Sequence, residues 1–206
     1  MSQFPESDTL AFYELNAEAY ARQTAKADLS NLYDRFLPLV MQGGRILDVG
    51  CGGGRDLRAF KERGFECVGV DASPRLAKIA HEYSDCRVVV GKIEELRLTR
   101  SFDAAWACAS LLHVRRSRLP AALHRIRDAL RPSGIFFVSV QEGNGEHVGP
   151  DGRLFIWYSC EDLIELVKSS GFVVFEQWRT EDKLPGRIGK TWINLLARCN
   201  LGEPHL

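Results

Sequence analysis

The chain has 206 residues, and its 27 basic and 27 acidic side chains give a formal net charge of zero at pH 7. This length suits one sizeable hydrophobic core and is short for two independent domains. The zero net charge argues against generic nucleic-acid binding, and a content of 45% hydrophobic and 26% charged residues argues against a disordered or fibrous chain.

The first predicted elements are two helices, over roughly 8–22 and 28–41. The segment MSQFPESDTL lacks the basic and then apolar order of a secretory signal, and no apolar run approaches the ~20 residues that span a bilayer. We therefore expect a cytoplasmic protein without a membrane segment.

From residue 45 onward, apolar runs that predict buried strands alternate with amphipathic stretches that predict helices. The strand candidates are RILDV (45–49), ECVGV (66–70), RVVVG (87–91), FDAAWA (102–107), GIFFVSV (134–140), FVVFEQW (172–178) and WINLLAR (192–198). The helical patterns between them cover 54–63, 74–83, 117–131 and 161–170. This alternation is typical of an α/β fold, in which helices cover both faces of a parallel sheet.

The boundaries of these elements carry signals of their own. Ser73 followed by Pro74 predicts a capped helix start. Gly64, Gly134 and Gly171 lie near helix ends and just before strands, where we expect a left-handed C-cap. No helical pattern separates the last two strands, so we expect them to pair antiparallel.

Six cysteines are scattered along the chain without a CxxC pair or a Cys/His metal-ligand spacing. They are Cys51, Cys67, Cys86, Cys108, Cys160 and Cys199. Several fall in the predicted strands. We therefore expect buried, reduced thiols and no metal site.

The segment RILDVGCGGGRD (45–56) predicts a buried strand, a glycine turn and then a helix, and ligands bind at this edge of open α/β sheets. A dinucleotide site needs the spacing GxGxxG, but the third position counted from Gly50 and Gly52 is Arg55. Asp48 suits a ligand that carries an ammonium and a sulfonium group, as S-adenosylmethionine does. Asp71 ends the next strand and can accept both hydroxyls of a ribose, which a nicotinamide dinucleotide would also offer.

Four ordered motifs between roughly residues 44 and 140 share their order and spacing with a known family. They are ILDVGCGGGRD, VGVDAS, FDAAWACASLLHV and LHRIRDALRPSGIFFVSV. Together they resemble the first, ribose-binding, fourth-strand and fifth-strand motifs of the class I S-adenosylmethionine-dependent methyltransferases. The segment FYELNAEAY and the last two strands extend the likeness to nearly the whole chain. The nearest resemblance is to small stand-alone bacterial enzymes that methylate small molecules.

The resemblance implies a Rossmann-like three-layer αβα sandwich of seven strands in the order 3-2-1-4-5-7-6, with an antiparallel last strand. It implies a single domain over 1–206, in which the N-terminal helices (1–41) form a lid over a core that covers 42–206. The implied cofactor is S-adenosylmethionine, and the implied product is S-adenosylhomocysteine.

The resemblance also implies which residues bind the cofactor. Gly50 and Gly52 would lie along its aminoacyl and ribose parts, and Asp48 would lie near its amino group. Asp71 would hold the ribose hydroxyls. Many relatives carry an acid where this chain has Lys92, so we expect contact with the adenine edge from the backbone at that position.

Further contacts are expected around the adenine and the methyl group. Ala72 and Ile93 would cover the two faces of the adenine, and Cys108 and Ser110 would flank the methionine and methyl end. Tyr20, and with it Arg22 or Tyr13, would close over the site from the first helix.

Three more residues of the glycine turn complete the expected cofactor set. Arg55 and Asp56 would contact the cofactor, with the alternative that they simply open the following helix, where an acid favours the dipole. Cys51 has the alternative of being a small packing residue, as has Cys108.

His113 is the leading candidate for a catalytic base, because LLHV follows the fourth strand near the expected methyl position. Its alternative is a structural role at the end of that segment. The acceptor pocket is expected to use Tyr13, Tyr158, Arg187 and Trp192, and for the last three a structural role is the alternative. The stretches 141–155 and 180–192, rich in glycine and charge, should overhang the site as lid loops.

The predicted function is methyl transfer to an oxygen, nitrogen or sulfur atom of a small molecule, by a monomer or homodimer. An alternative is a tRNA-modifying methyltransferase, in which an arginine cluster would contact phosphates: Arg115, Arg116, Arg118, Arg125, Arg127 and Arg131. Two further alternatives are an NAD(P)-linked oxidoreductase and a non-catalytic S-adenosylmethionine-binding module.

Overall fold

The computed structural model describes residues 7–182 and 189–200. The α-helices there are α1 Ser7–Thr24, α2 Ser30–Phe36, α3 Arg55–Glu62, α4 Pro74–Ser84, α5 Leu119–Ala129 and α6 Cys160–Ser169. The strands are β1 Arg45–Val49, β2 Glu66–Asp71, β3 Arg87–Val90, β4 Phe102–Cys108, β5 Leu130–Gln141, β6 Gly145–Val148, β7 Leu154–Trp157, β8 Phe172–Glu181 and β9 Thr191–Cys199. Two short 3-10 helices cover Leu37–Leu39 and Leu111–His113.

Seven strands form one sheet in the order β3-β2-β1-β4-β5-β9-β8. Strands β1 to β5 are parallel, and β9 runs antiparallel to both β5 and β8. The predicted α/β class, the strand order and the antiparallel pairing of the last two strands are confirmed. Because β1, β2 and β4 are parallel neighbours, the segments that follow them meet at one carboxyl edge of the sheet.

The segment 141–155 differs most from the predicted organisation. We expected a lid loop, but β6 and β7 form an antiparallel hairpin. The N–H of Gly149 closes its turn by donating to the Arg153 carbonyl at 2.9 Å. Leu154 and Ile156 of β7 are buried in the main core. Burial of alternate side chains therefore stabilises a strand where the glycine content had indicated an irregular loop.

The expected left-handed C-caps are correct at two of three positions. Gly64 and Gly171 have φ values of +87° and +91°, but Gly134 does not have a positive φ, and Ser133 takes the left-handed conformation instead. Helix α5 ends at Ala129 and β5 begins at the next residue. Gly134 is needed for space, because a Cβ there would lie 3.0 Å from the Arg131 carbonyl oxygen.

Hydrophobic side chains cover both faces of the sheet. On one face, Phe36 and Phe60 pack around Trp106, whose ring stacks on Phe137 with the centroids 4.0 Å apart. Trp106 is fully buried. The larger cluster on the other face includes the apolar sides of α5 and α6.

All six cysteines are free thiols, as expected, and four of them are buried. In the part of the chain that the structure describes, no helix is long and apolar enough to cross a membrane.

Candidate active site

A cavity of about 160 Å³ lies at the carboxyl edge of the sheet, beside β1, β2, β3 and β4 and next to α1. Five segments contribute its walls. Its lining residues are Thr9, Leu10, Tyr13, Tyr20, Val49, Gly50, Gly52, Val70, Asp71, Ala72, Ser73, Leu76, Gly91, Lys92, Ile93, Glu94, Ala109, Ser110, Leu111, His113 and Val114. The set includes ten of the predicted site residues.

The glycine turn brings the backbone itself to the cavity wall. Gly50 and Gly52 have φ values of +71° and +54°, a region that glycine enters at little cost. A Cβ at Gly50 would overlap the Cβ of Ser110, and one at Gly54 would lie 2.8 Å from the Cα of Ala80. Ser110 and Ala80 therefore pack directly against the turn at Gly50 and Gly54. A Cβ at Gly52 would meet only the Tyr20 ring, at 3.5 Å, so a ligand can approach the backbone there.

Asp71 is fixed at the end of β2 by two backbone donors. Its Oδ2 accepts the N–H of Gly52 at 2.8 Å, and its Oδ1 accepts the N–H of Ser73 at 2.9 Å. Burial raises the pKa of Asp71, and these two hydrogen bonds oppose the rise. The carboxylate lines the cavity in a fixed orientation, as an acceptor for ligand hydroxyls must.

Two buried polar atoms beside the turn have no hydrogen-bond partner among the described residues: Oδ2 of Asp48 and Oγ of Ser110. Burial raises the pKa of Asp48 well above its usual range, and the nearby charge of Asp56 adds to the rise. Buried polar atoms are ordinarily hydrogen-bonded. Ser110 lines the cavity, whereas Asp48 is buried next to Val49 of the cavity wall and does not line it. A ligand ammonium group at this wall, such as that of the aminoacyl end of S-adenosylmethionine, would give these oxygens the partner that they lack.

Arg55 and Asp56 form a buried network instead of lining the cavity. The Asp56 carboxylate accepts the hydroxyl of Tyr33 at 2.5 Å, the indole N–H of Trp106 at 2.8 Å and two N–H groups of Arg55 at 2.6 and 2.9 Å. Burial alone would raise the pKa of Asp56, but Arg55 and the other donors hold it below its usual value. Because these four donors saturate the carboxylate, the structure does not support the predicted cofactor contacts of either residue.

Besides Asp48, three other predicted cofactor residues also lie away from the cavity wall. Cys51 is buried and packs with Leu57 of α3, and Cys108 packs beside the aromatic cluster around Trp106. Burial raises the pKa of both thiols, so they stay protonated and pack as small side chains. Arg22 is exposed on α1 and does not line the cavity. The structure favours the packing alternative for both cysteines.

The adenine end of the expected site contains the predicted residues and one that we missed. Ala72, Lys92 and Ile93 all line the cavity, and so does Glu94. A Glu94 carboxylate oxygen also lies 3.7 Å from a guanidinium nitrogen of Arg118. The sequence did offer a signal for Glu94. Lys92 stands where many relatives carry an acid, and Glu94, two residues later, places a carboxylate in the same cavity wall.

Helix α1 is held against the start of α4 by its acidic side chains. A Glu14 carboxylate oxygen accepts the Ser73 hydroxyl and, at 3.1 Å, the N–H of Arg75. The Arg75 guanidinium also lies 2.6 Å from a Glu18 carboxylate oxygen. These contacts bring Tyr13 and Tyr20 of α1 to the cavity, with their ring centroids 5.0 Å apart.

His113 ends the 3-10 helix after β4 and is hydrogen-bonded through both ring nitrogens. Its Nδ1 lies 2.7 Å from the Leu154 carbonyl oxygen, and its Nε2 lies 2.7 Å from the hydroxyl oxygen of Tyr13. Burial raises the pKa of Tyr13. The predicted base and one predicted acceptor contact are therefore hydrogen-bonded to each other in the cavity wall.

Two of the other predicted acceptor contacts, Tyr158 and Trp192, do not line this cavity. Tyr158 is fully buried beneath the Arg116 guanidinium, 4.4 Å from its ring centroid. Trp192 donates its indole N–H to Asp182 at 3.2 Å. Arg187 and part of the predicted lid stretch 180–192 lie outside the described residues. Sequence patterns did not reveal Thr9 and Leu10, because these residues reach the cavity only through the docking of α1.

Comparison with known sequences gives one family. The sequence model of a family described as methyltransferase domain matches residues 20–195. Among curated proteins, the ubiquinone biosynthesis O-methyltransferase of Xanthomonas campestris pv. campestris is 30% identical over 195 residues and matches 77% of this chain and 77% of its own.

Solved structures give the same fold. The Burkholderia thailandensis 1,6-didemethyltoxoflavin-N1-methyltransferase, solved with bound 1,6-didemethyltoxoflavin and S-adenosylhomocysteine, matches with a TM-score of 0.75 at 26% identity. The match covers 95% of this chain and 87% of that one. The [4+2]-cyclase SpnF matches with a TM-score of 0.77 at 20% identity over 97% of this chain and 98% of its own. The likeness to the cyclase shows the fold alone.

Proposed function

This chain belongs to the methyltransferase-domain family and uses S-adenosylmethionine, and we propose that it transfers a methyl group to an oxygen, nitrogen or sulfur atom of a small-molecule acceptor. The observation that carries this proposal is the composition of a single cavity. One wall holds the glycine turn and Asp71, and another holds the hydrogen-bonded pair of Tyr13 and His113. A cofactor-binding end and a proton-accepting end thus share one space.

We assign the binding roles by the chemistry of each residue. Asp48 and Ser110 receive the ammonium end of the cofactor, because their buried oxygens lack partners among the described residues. Asp71 accepts the ribose hydroxyls, since its orientation is fixed by two backbone N–H groups. Ala72 and Ile93 provide apolar surfaces for the two faces of the adenine.

The bound cofactor supplies a methyl carbon that its sulfonium already activates. The protein therefore has to align the acceptor with that carbon, and positioning of this kind can provide much of the rate enhancement. An acceptor that is a hydroxyl or a protonated amine must also lose a proton, and His113, the one imidazole among the described cavity residues, is hydrogen-bonded to Tyr13 and can take part in that transfer.

The names of the relatives bear on the acceptor. One is named as an O-methyltransferase of ubiquinone biosynthesis and another as an N1-methyltransferase of 1,6-didemethyltoxoflavin. Both names refer to small-molecule acceptors and to different attacking atoms. We therefore propose the acceptor class and leave oxygen, nitrogen and sulfur as alternatives for the experiment to separate.

A tRNA acceptor is less well supported, because the arginine cluster is largely paired within the protein. A guanidinium nitrogen of Arg116 lies 3.7 Å from an Asp162 oxygen, and one of Arg118 lies 3.5 Å from a Glu95 oxygen. Arg127 pairs with its neighbour Asp128 at 3.0 Å. Phosphate contacts would have to compete with these carboxylates.

We further propose that residues 1–206 act as a single domain, as a monomer or homodimer, with α1 as the cover of the site. The contacts of Glu14 and Glu18 with α4 support this arrangement.

The test has two stages. Calorimetry with S-adenosylmethionine, S-adenosylhomocysteine and NAD should detect the two sulfur compounds only, and binding of NAD alone would refute the cofactor assignment. Incubation with methyl-labelled cofactor and a metabolite extract should then yield a small molecule that has gained one methyl group. Labelled RNA would support the tRNA alternative, and binding without any labelled product would support a non-catalytic module.

A further inference from the structure

The proposed function does not say how the acceptor loses its proton, and the hydrogen bonds of His113 to Tyr13 and Leu154 indicate a path for it. We propose that Tyr13 takes the proton of the methyl acceptor and passes its own hydroxyl proton to Nε2 of His113 in the same step. The inference rests on the proposed methyl transfer to an acceptor that carries a proton. It makes Tyr13 the residue in contact with the acceptor, and His113 acts through it.

The tautomer of His113 follows from its partners. The Leu154 carbonyl can only accept a hydrogen bond, so Nδ1 at 2.7 Å carries a proton. In a neutral imidazole, Nε2 then has a lone pair and no proton. Nε2 therefore accepts the hydroxyl proton of Tyr13, whose oxygen lies 2.7 Å away. This direction is assigned from the hydrogen-bond network.

The hydroxyl of Tyr13 occupies the atom of His113 to which an acceptor would otherwise give its proton. The only basic atom of neutral His113 is Nε2, and Tyr13 already occupies it. The Tyr13 oxygen donates that bond and accepts one from the Arg153 guanidinium, which leaves one lone pair for a further partner, because a phenol oxygen has two. Tyr13 also lines the cavity. An acceptor hydroxyl can therefore donate to Tyr13 while Tyr13 donates to His113.

The surroundings of Tyr13 favour a neutral hydroxyl before the reaction. Burial raises the pKa of Tyr13, with Tyr20 and Asp71 adding to the rise and Arg153 opposing it. The Arg153 guanidinium donates a hydrogen bond to Tyr13, and its carbon lies 5.8 Å from the Tyr13 ring centroid. A guanidinium nitrogen of Arg153 also lies 2.6 Å from an Asp151 carboxylate oxygen. Tyr13 therefore carries the proton that the relay must pass on.

The fold also holds the far end of the path. Leu154 of β7 accepts from His113 through its carbonyl, and its N–H donates to the Thr9 hydroxyl at 2.9 Å. The His113 and Phe155 ring centroids lie 5.0 Å apart. One residue of the hairpin thus orients the imidazole and ties it to α1, the helix that carries Tyr13.

The atoms balance in this step. The bond between the acceptor atom and its proton breaks as the acceptor forms its bond to the methyl carbon, and the electron pair of the broken C–S bond stays on sulfur. The acceptor proton moves to the Tyr13 oxygen, and the original Tyr13 proton moves to Nε2. The positive charge passes from the sulfonium to the imidazolium of His113, whose Nδ1 proton still faces the Leu154 carbonyl.

A spectroscopic test needs no acceptor. Protein with ¹⁵N-labelled histidine and bound S-adenosylhomocysteine should show His113 with a protonated Nδ1 and a hydrogen-bonded, unprotonated Nε2 at neutral pH. In Tyr13→Phe, the Nε2 resonance should move to that of a free imidazole nitrogen, with little change in S-adenosylhomocysteine affinity. A protonated Nε2 in the wild-type complex, or no shift in Tyr13→Phe, would overturn the relay.

A kinetic test uses the acceptor recovered from the labelled extract. Tyr13→Phe and His113→Gln should each lower the single-turnover rate by about 10²–10⁴-fold, the usual range for general base catalysis. The double variant should lose little more, because the two residues act in series. If His113 acted directly, Tyr13→Phe would expose Nε2 and keep the rate, and that result would overturn the relay.

The matched control is Tyr33→Phe. Tyr33 is also a buried tyrosine that donates to a side chain, but it lies in the Asp56 network and does not line the cavity. Its variant should lose stability and keep the rate of the folded enzyme. Absence of any methylated product would overturn the proposed function and the relay together, whereas product formed at the wild-type rate by Tyr13→Phe would overturn the relay alone.

Discussion

Two clusters of buried polar groups adjoin the same glycine turn and differ in how their hydrogen bonds are satisfied. The Asp56 cluster is closed, because Tyr33, Trp106 and Arg55 together supply four donors to one carboxylate. The Asp48 and Ser110 cluster is open, with one buried oxygen unpaired on each residue within the described part of the chain. The closed cluster stabilises the fold, and the open one is the place where a ligand completes the bonding.

This difference distinguishes residues with a structural role from residues that can bind a ligand, which their positions in the sequence do not. Arg55 and Asp56 follow the glycine turn directly, and Asp48 precedes it by two residues, so all three looked like candidates for cofactor contact. Saturation of the Asp56 carboxylate by internal donors argues against such contact by Arg55 and Asp56. Substitutions in the two clusters should therefore affect different measurements, namely unfolding for the closed cluster and ligand affinity for the open one.

The largest effect should come from Asp56→Asn. This change leaves the Arg55 guanidinium buried without its carboxylate, and loss of one partner of a buried ion pair costs about 3–5 kcal/mol of unfolding free energy. Denaturant unfolding measures the loss, and calorimetry on the folded fraction should give an unchanged affinity for S-adenosylhomocysteine. A loss of affinity without a loss of stability would place Asp56 in the cofactor site after all.

Gly50→Ala should have the next largest effect. The added Cβ would overlap the Cβ of Ser110, and overpacking of this kind costs about 1–3 kcal/mol, in addition to the strain of a positive φ. We expect a matching fall in S-adenosylhomocysteine affinity. Gly43→Ala is the control, because Gly43 has a similar φ of +76° but no atom within 4 Å of the added Cβ. Equal losses of stability and affinity in the two variants would show that backbone strain alone, and not the contact between residue 50 and Ser110, accounts for the effect of Gly50→Ala.

The sequence predicted the sheet well because strand order depends on regular alternation, which local patterns record. It predicted the site only in part. Gly50, Asp71, Ala72 and Ile93 lie in motifs at strand ends, and the structure brings them to one cavity. The relay pair was not foreseen as a pair, because Tyr13 lies 100 positions before His113 and they meet only when α1 docks.

The errors have physical reasons as well. The bonding of Asp56 could not be read from the sequence, since Tyr33 and Trp106 approach it from other elements of the fold. The hairpin of β6 and β7 was missed because its glycine and charge content resembles that of a loop. The alternation of buried Leu154 and Ile156 was present in the sequence but is short.

Asp71→Asn should have a moderate effect on cofactor affinity, together with some loss of stability, because one of the two backbone N–H groups bonded to Asp71 loses its acceptor. Loss of the charged acceptor for the ribose hydroxyls should cost about 1–3 kcal/mol of cofactor affinity, the range for hydrogen bonds to charged groups. Asp128→Asn, which lies outside the cavity, is the control. Calorimetry that gives the same affinity for Asp71→Asn and wild-type protein would remove Asp71 from the ribose site.

The smallest effect concerns the pH dependence of stability without ligand. Burial holds the pKa of Asp48 well above its usual range, so the folded chain binds a proton there that the unfolded chain releases above about pH 4. The stability that depends on this carboxyl is complete below that pH and is lost as the pH rises toward the folded-state pKa. Asp48→Asn should flatten this loss and raise the thermal midpoint at neutral pH.

Ligand binding should act on Asp48 in the opposite direction. An ammonium group beside the carboxylate favours its charged form, so binding of S-adenosylhomocysteine should release a proton from Asp48. Calorimetry in buffers of different ionisation enthalpy measures that release, which Asp48→Asn should abolish together with part of the affinity. If wild-type and variant protein release the same number of protons, the ligand ammonium does not meet Asp48. The unpaired oxygen of Asp48 would then need an explanation other than contact with the cofactor.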